Sequence, residues 1–187
     1  MTSLKIHNIE TAPEGSKALL EKSQKAFGRI PGLHGVLAGS PKILEAYQSL
    51  HQHFVDTSFN NEELTVVWQT INVEHACHYC VPAHTGIAKM MNVADNITEA
   101  LRNETPFENP KLEALRNMTL LIVRNRGQVS QEELNTFYAV GYGEQQLLEI
   151  ILGLAQKTIS NYTNHIANTP VDAPFQKFAW SKEKVEG

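Results

Sequence analysis

The sequence predicts an all-α protein, and three observations carry that expectation. Apolar residues recur at helical spacing, strand-like alternation is nearly absent, and helix-start signals stand where the apolar stripes begin. Ser40-Pro41 supplies an N-cap and a proline at the first helical position, ahead of Ile43, Leu44, Tyr47, Leu50 and Phe54 on one face. Asn60 with Glu63 has the capping-box pattern and opens a helix striped by Leu64, Val67, Trp68 and Ile71. After the cysteines, "PAHTGIAKMMNVADNITEALRN" carries one or two further helical segments. "ETPFENP", residues 104–110, has two prolines and reads as a linker. Leu112, Leu115, Thr119 and Ile122 mark the next helix, which "RGQ" breaks. Ser130 with Glu133 repeats the capping-box pattern before Leu134, Phe137 and Tyr138. "GYG" then separates a long helix bearing Leu147, Leu148, Ile151, Leu154 and Ile159. The tail "VDAPFQKFAW" is aromatic and irregular, and is expected to dock on the body or on a neighbouring subunit.

The bundle admits two pseudo-repeats. Residues 64–84 and 148–168 align without a gap, placing Cys77, Cys80 and His84 on Asn161, Asn164 and Asn168, and Thr65 on Glu149. On that alignment one half carries thiols where the other carries amides.

The chain has 187 residues, enough for a single domain with a real core. Hydrophobic content of 42% and charged content of 19% are those of a globular protein. A net charge of −4 gives no basic footprint for nucleic acid, and there is no polybasic run for a membrane surface. The N-terminus lacks the pattern of a signal peptide, and no apolar run reaches the ~18 residues of a membrane span. The expected compartment is therefore the cytoplasm, where a cysteine pair more often does chemistry or holds metal than staples a fold.

Both cysteines of the chain lie in "EHACHYCVPAHTGIAKM", residues 74–90, two residues apart. A disulfide between Cys77 and Cys80 would close so short a loop that its entropic stabilisation is only about 2 kcal/mol. Zinc needs about four ligands. Cys77, Cys80 and His84 could supply three and His75, His78 or His165 a fourth, but no second ligand pair follows, so no metal is expected. A redox couple suits the spacing best. Pro82 is comfortable only in the first turn of a helix, which puts Cys80 at the helix start, where free N–H groups and the helix dipole favour a thiolate. His84 stands one turn further along the same face, able to take or return a proton. A free thiol is only about 3% ionised near neutral pH. A pKa lowered to about 6.5 would make it mostly thiolate, and its neighbour could then resolve a sulfenic acid or a mixed disulfide. Other groups read as structural: His51 and His53 as a solvated face, Met90, Met91 and Trp68 as packing, and His34 as part of a loop over the site.

"CHYCVPAH" after an amphipathic helix resembles the CxxCxxxH signature of the alkylhydroperoxidase D-like proteins, within the carboxymuconolactone decarboxylase superfamily. "FGRIPGLHGVLAGSPKILEAYQSL" before it, and "NPKLEALRNMTLLIVRNRGQVSQEEL" and "GYGEQQLLEIILGLAQKTISNYTNHIAN" after it, extend the resemblance over roughly residues 25–172. The resemblance implies a helical fold assembling as a homo-oligomer, trimer or hexamer, that needs no organic cofactor. It implies a peroxidase with Cys80 as attacking thiol, Cys77 as resolving partner and His84 as base. Its substrate would be a hydroperoxide, and its reductant an external dithiol or a peroxiredoxin-type protein. A lyase acting on a small acidic lactone, or a non-catalytic redox-sensing partner protein, is the alternative.

The chain departs from that pattern at one place. The family carries a glutamate proton relay twelve residues before the first cysteine, and here that position is Thr65. Glu74, three residues before Cys77, is the expected replacement, with Glu149 as the repeat-related alternative.

Overall fold

A computed structural model describes residues 4–182. Among them the chain is all-α: α1 (Glu14–Phe27), α2 (Gly32–Leu37), α3 (Pro41–Val55), α4 (Asn61–Glu74), α5 (Cys80–Met90), α6 (Asp95–Arg102), α7 (Pro110–Arg124), α8 (Gln131–Ala139) and α9 (Glu144–Ala167). A 3-10 helix, Ala173–Phe178, closes the described chain.

The bundle is built around α4. Every residue from Glu63 to Val73 is buried, because α5, α6, α7 and α9 all pack against this helix. A helix buried on all sides must partner its polar groups. Trp68 Nε1 donates to Gln156 Oε1 at 2.7 Å, and Glu63 accepts from the Tyr142 hydroxyl at 2.9 Å. The expected capping boxes form at Asn60–Glu63 and Ser130–Glu133, so both helices begin where the sequence says. α9 crosses α3 and α4 so closely that a Cβ on Gly153 would stand 2.7 Å from the Phe54 ring and 3.0 Å from Val67. A smaller apolar cluster joins Leu20, Leu33, Leu37, Leu44 and Tyr47 to Cys77, Tyr79 and Cys80.

The structure adds one helix to the sequence reading and corrects it in two places. α1 runs through a segment with no strong start signal, Pro13 occupying its N-cap. His34 lies in helix α2 rather than a loop; Pro31 sets the entry, and Asp172 accepts from the Gly32 N–H at 3.1 Å. Helix α9 turns out of the core part of the stripe expected to be buried. Leu148 is 65% and Ile151 48% exposed, while Gln156, Lys157, Ser160, Asn161 and Asn164 face inward. Polar groups on α4 and the cysteine turn need partners there, and this polar face supplies them.

The tail docks on the body. Phe175 packs where Gly86 of α5 lacks a side chain, Arg102 donates to the carbonyls of Phe178 and Ala179, and Trp180 Nε1 donates to the Arg102 carbonyl. The two segments of the repeat alignment are both helical up to Glu74 and Thr158; beyond them the first turns while α9 runs straight on. No helix among the described residues is long and apolar enough to cross a membrane.

Candidate active site

The site begins where α4 ends. Ala76 adopts a left-handed conformation (φ 51°), reversing the chain, and the Cys77 N–H donates back to the Asn72 carbonyl at 2.9 Å. Such a conformation costs an alanine roughly 1–2 kcal/mol. Cys80 is then the first residue of α5, as the position of Pro82 requires. Its N–H donates to Cys77 Sγ at 3.3 Å, so the first sulfur takes an otherwise unpaired helix-start donor. Both cysteines are free and buried, Cys77 at 0% and Cys80 at 2% exposure.

The polar face of α9 forms the second wall. Asn164 Nδ2 donates to Cys80 Sγ at 3.3 Å, and Asn161 Nδ2 donates to Asn72 Oδ1 at 3.0 Å. Lys157, only 1% exposed, places Nζ 2.8 Å from His84 Nε2. An ammonium can only donate, so His84 accepts at Nε2 and carries its own proton on Nδ1. The third wall is aromatic. The His51 ring stacks on Trp68 with centroids 5.7 Å apart, Trp68 lies 4.9 Å from the His84 ring, and Gln156 Nε2 donates to His51 Nδ1 at 3.1 Å. Tyr47 bridges His51 to His34, whose Nδ1 lies 2.8 Å from Ser23 Oγ.

Burial and hydrogen bonding oppose one another here. Burial pushes the Cys80 thiol up, but a hydrogen bond from the Cys77 thiol, the charge of Lys157 and the amides of Asn164 and Asn161 pull it below the usual thiol range. Cys77 is raised, first because its thiol hydrogen bonds to Cys80 and then by burial, so the pair gives up one proton and keeps one. Burial drives Lys157 down, and the thiols draw it back up. Burial, then Lys157 and His51, hold His84 well below the ordinary histidine range, so its imidazole is neutral. The positive charge facing the thiols is thus that of Lys157, not of His84.

Cys77 and Cys80 thus stand against one another, His84 is joined to them through Lys157, and Glu74 lies apart. Its two carboxylate oxygens accept from Arg124 at 2.8 and 2.7 Å, because α7 presents that guanidinium to the end of α4. Glu149 accepts from the N–H and hydroxyl of Ser58, outside the thiol cluster. Thr65 is buried but donates to the Asn61 carbonyl of its own helix at 2.8 Å. His51 is not on a solvated face, and Trp68, besides packing, donates to Gln156 within the site. His53 is exposed. His78 bonds the Thr169 carbonyl and His75 the Asn161 side chain, so neither joins the cysteines as a ligand. Among the described residues, no group of three or more His, Cys, Asp or Glu side chains is arranged to hold a metal.

Sequence reasoning missed Lys157, Asn164 and His51. A signal for the first two existed: Gln156, Lys157, Ser160, Asn161 and Asn164 share one helical face inside an otherwise apolar run. The repeat alignment had already set Asn164 on Cys80, and in space those two side chains meet.

No protein-family model and no curated protein sequence matches the chain. Solved structures do. An uncharacterised peroxidase-related protein from Silicibacter sp. TM1040 superposes with a TM-score of 0.78 at 13% identity, covering 93% of each chain. An uncharacterised peroxidase-related protein from Ralstonia eutropha JMP134, described as an alkylhydroperoxidase AhpD core, gives 0.76 at 16% identity over 93% of this chain and 94% of that one. The debrominase Bmp8, as a cysteine-to-alanine variant in complex with 2,3,4-tribromopyrrole, gives 0.72 at 14% identity over 95% of each chain. The chain therefore has the all-α alkylhydroperoxidase D-like fold, the class the sequence motif resembles.

Proposed function

We propose that the protein is a thiol-dependent oxidoreductase that reduces hydroperoxides through Cys77 and Cys80. The observation that carries this reading is the placement of two free, buried cysteines at a helix start, with Asn164 and the charge of Lys157 directed at the second sulfur. A sulfur so surrounded is a nucleophile near neutral pH. Cys80 attacks the terminal oxygen of the peroxide and becomes a sulfenic acid as the O–O bond breaks. Cys77 then displaces water to close the disulfide, and an external dithiol or a peroxiredoxin-type protein reopens it. The reading places the protein in the cytoplasm, where such reductants are maintained. It includes assembly as a trimer or hexamer, for which the exposed Leu148, Ile151 and Tyr162 on α9 offer an apolar face.

A second reading is reductive dehalogenation, favoured by the likeness to a debrominase and by the rings of Trp68, Tyr47 and His51 beside the thiols. There the thiolate would take the halogen as a cation equivalent, the ring carbon would gain a proton, and Cys77 would release halide by closing the disulfide. Mass spectrometry after one equivalent of hydroperoxide tests the first reading. The expected product is a protein lighter by two protons, blocked to alkylation and restored by dithiothreitol, with the Cys80→Ser protein inert. Unmodified thiols under peroxide but a disulfide under a bromopyrrole would move the assignment to the second reading. Activity on a lactone that survives both serine substitutions would assign the lyase.

A further inference from the structure

The feature left over is a lysine with nowhere to put its charge. Lys157 is 1% exposed in the middle of α9, and among the described residues no carboxylate pairs with it. A lone ammonium in such a place costs several kcal/mol unless it is paired or gives up its proton. Its neighbours decide which. From α5 come Cys80 and His84, and from the turn before it Cys77. From α3 come Tyr47 and His51, and from α2 His34 beyond them. α4 brings Trp68 and Asn72, which do not titrate, and α9 itself Gln156, Ser160 and Asn161. Burial holds His34 and His51 neutral near pH 7 and pushes the Tyr47 phenol far up. Among the described residues, the one negative charge within reach is a cysteine thiolate.

We infer that Lys157 is both counter-ion and proton store of the dithiol centre, passing its proton through His84 when the thiolate is consumed. This rests on the thiol-redox reading above and supplies the proton carrier that Thr65, Glu74 and Glu149 do not. In the reduced protein the centre holds a thiolate, a thiol and an ammonium, so its net charge is zero. When Cys80 takes the terminal oxygen of a hydroperoxide, the leaving alkoxide needs one proton. Lys157 gives it to His84 Nε2, and His84 releases its Nδ1 proton to the alkoxide. The lysine is left neutral just as its counter-ion disappears, and Cys77 then closes the disulfide with loss of water. Reduction by a dithiol regenerates thiolate and thiol and returns the second proton to Lys157. Neither state leaves an unpaired charge in the interior, which a fixed cation at this position would do in the oxidised form.

The wild-type protein tests this without any peroxide. Diamide oxidises the pair by taking two electrons and two protons, so peroxidase competence is not at issue. In lightly buffered solution near neutral pH, with a pH indicator, the reduced protein should show thiolate ultraviolet absorbance and form its disulfide with no net proton uptake. One proton taken from solvent per disulfide would mean that Lys157 keeps its charge and is no donor. Absence of the thiolate signal in the folded, reduced protein would mean that there is no ion pair, and either result overturns the proposal. Variants separate the two roles. Lys157→Met should lose the thiolate signal, while Lys157→Arg should keep it, take up one proton per disulfide, and turn over peroxide about a hundredfold more slowly. If peroxide turnover is absent in wild type but the proton count holds, the peroxidase reading fails and the role of Lys157 stands.

Discussion

Asn164, on the last turn of α9, donates its side-chain amide to Cys80 Sγ at 3.3 Å across the bundle. It is one of the groups holding the Cys80 thiol below its ordinary range against burial, beside the Cys77 thiol and Lys157. A hydrogen bond to a charged group is worth about 1.5–3 kcal/mol. Asn164→Leu should therefore raise the Cys80 pKa by about one unit, and the midpoint of the alkylation rate against pH should move up with it. A profile that overlays wild type would mean that the amide orders the turn and leaves the thiolate alone.

His84 invites the opposite expectation. At one turn from Cys80 it could have stabilised the thiolate as an imidazolium, but burial, Lys157 and His51 hold it neutral. On the proposed peroxidase reading its work would fall in the proton-transfer step. His84→Ala should leave the alkylation midpoint within about one pKa unit of wild type while lowering peroxide turnover about a hundredfold. A large upward movement of the midpoint would show that His84 carries the charge after all.

How much of this was legible in the sequence follows from where each signal lives. Capping boxes and Pro82 act within one turn of the chain, and the helix starts at Asn61, Cys80 and Gln131 follow from them. The pairing of Cys77 with Cys80, and the placing of His84 one turn along α5, are likewise local. The inward polar face of α9 is not, because Lys157 and Asn164 are held inside by partners 73 and 84 residues away. Periodicity rewards apolar residues and so placed Leu148 inward, where the structure turns it out. Glu74 was drawn to the thiols by nearness in sequence, whereas Arg124, 50 residues on, holds it in space. His51 reads as surface because a histidine before Gln52 and an exposed His53 looks polar; its stacking on Trp68 is a tertiary fact.

Arg124 fixes what Glu74 can do. Its guanidinium hydrogen bond, opposed by some burial, holds the Glu74 carboxyl below the ordinary range, so the ion pair contributes stability above that range and loses it as the pH falls through the folded-state value. The Arg124 side chain is 53% exposed and that of Glu74 19%, and a bridge open to solvent on one side is worth about 1 kcal/mol. Glu74→Gln should cost no more than that in urea unfolding and leave peroxide turnover within a few-fold of wild type. A collapse of turnover in a stably folded variant would return Glu74 to the proton path.

His34 and His51, together with His84, give the fold a histidine-dependent response to acid. Burial lowers His34 and His51 to about 4, helped for His34 by His51 and for His51 by Lys157. In the unfolded chain each titrates near the ordinary value of about 6.5. Between those two values the unfolded state binds more protons than the folded one, so stability rises with pH through this window. Stability from the two sites is complete above about 6.5 and declines as the pH falls toward 4, with a slope of up to about 1.4 kcal/mol per pH unit for each histidine. The two do not add fully, since protonating one disfavours the other across Tyr47. Urea unfolding followed from pH 7 to pH 4 should show this decline, and His51→Gln should flatten it, because a neutral amide can still meet Gln156 and Trp68 without taking a proton. A variant whose decline matches wild type would place the acid sensitivity elsewhere and remove His51 from the set of buried neutral groups on which the charge balance around Lys157 depends.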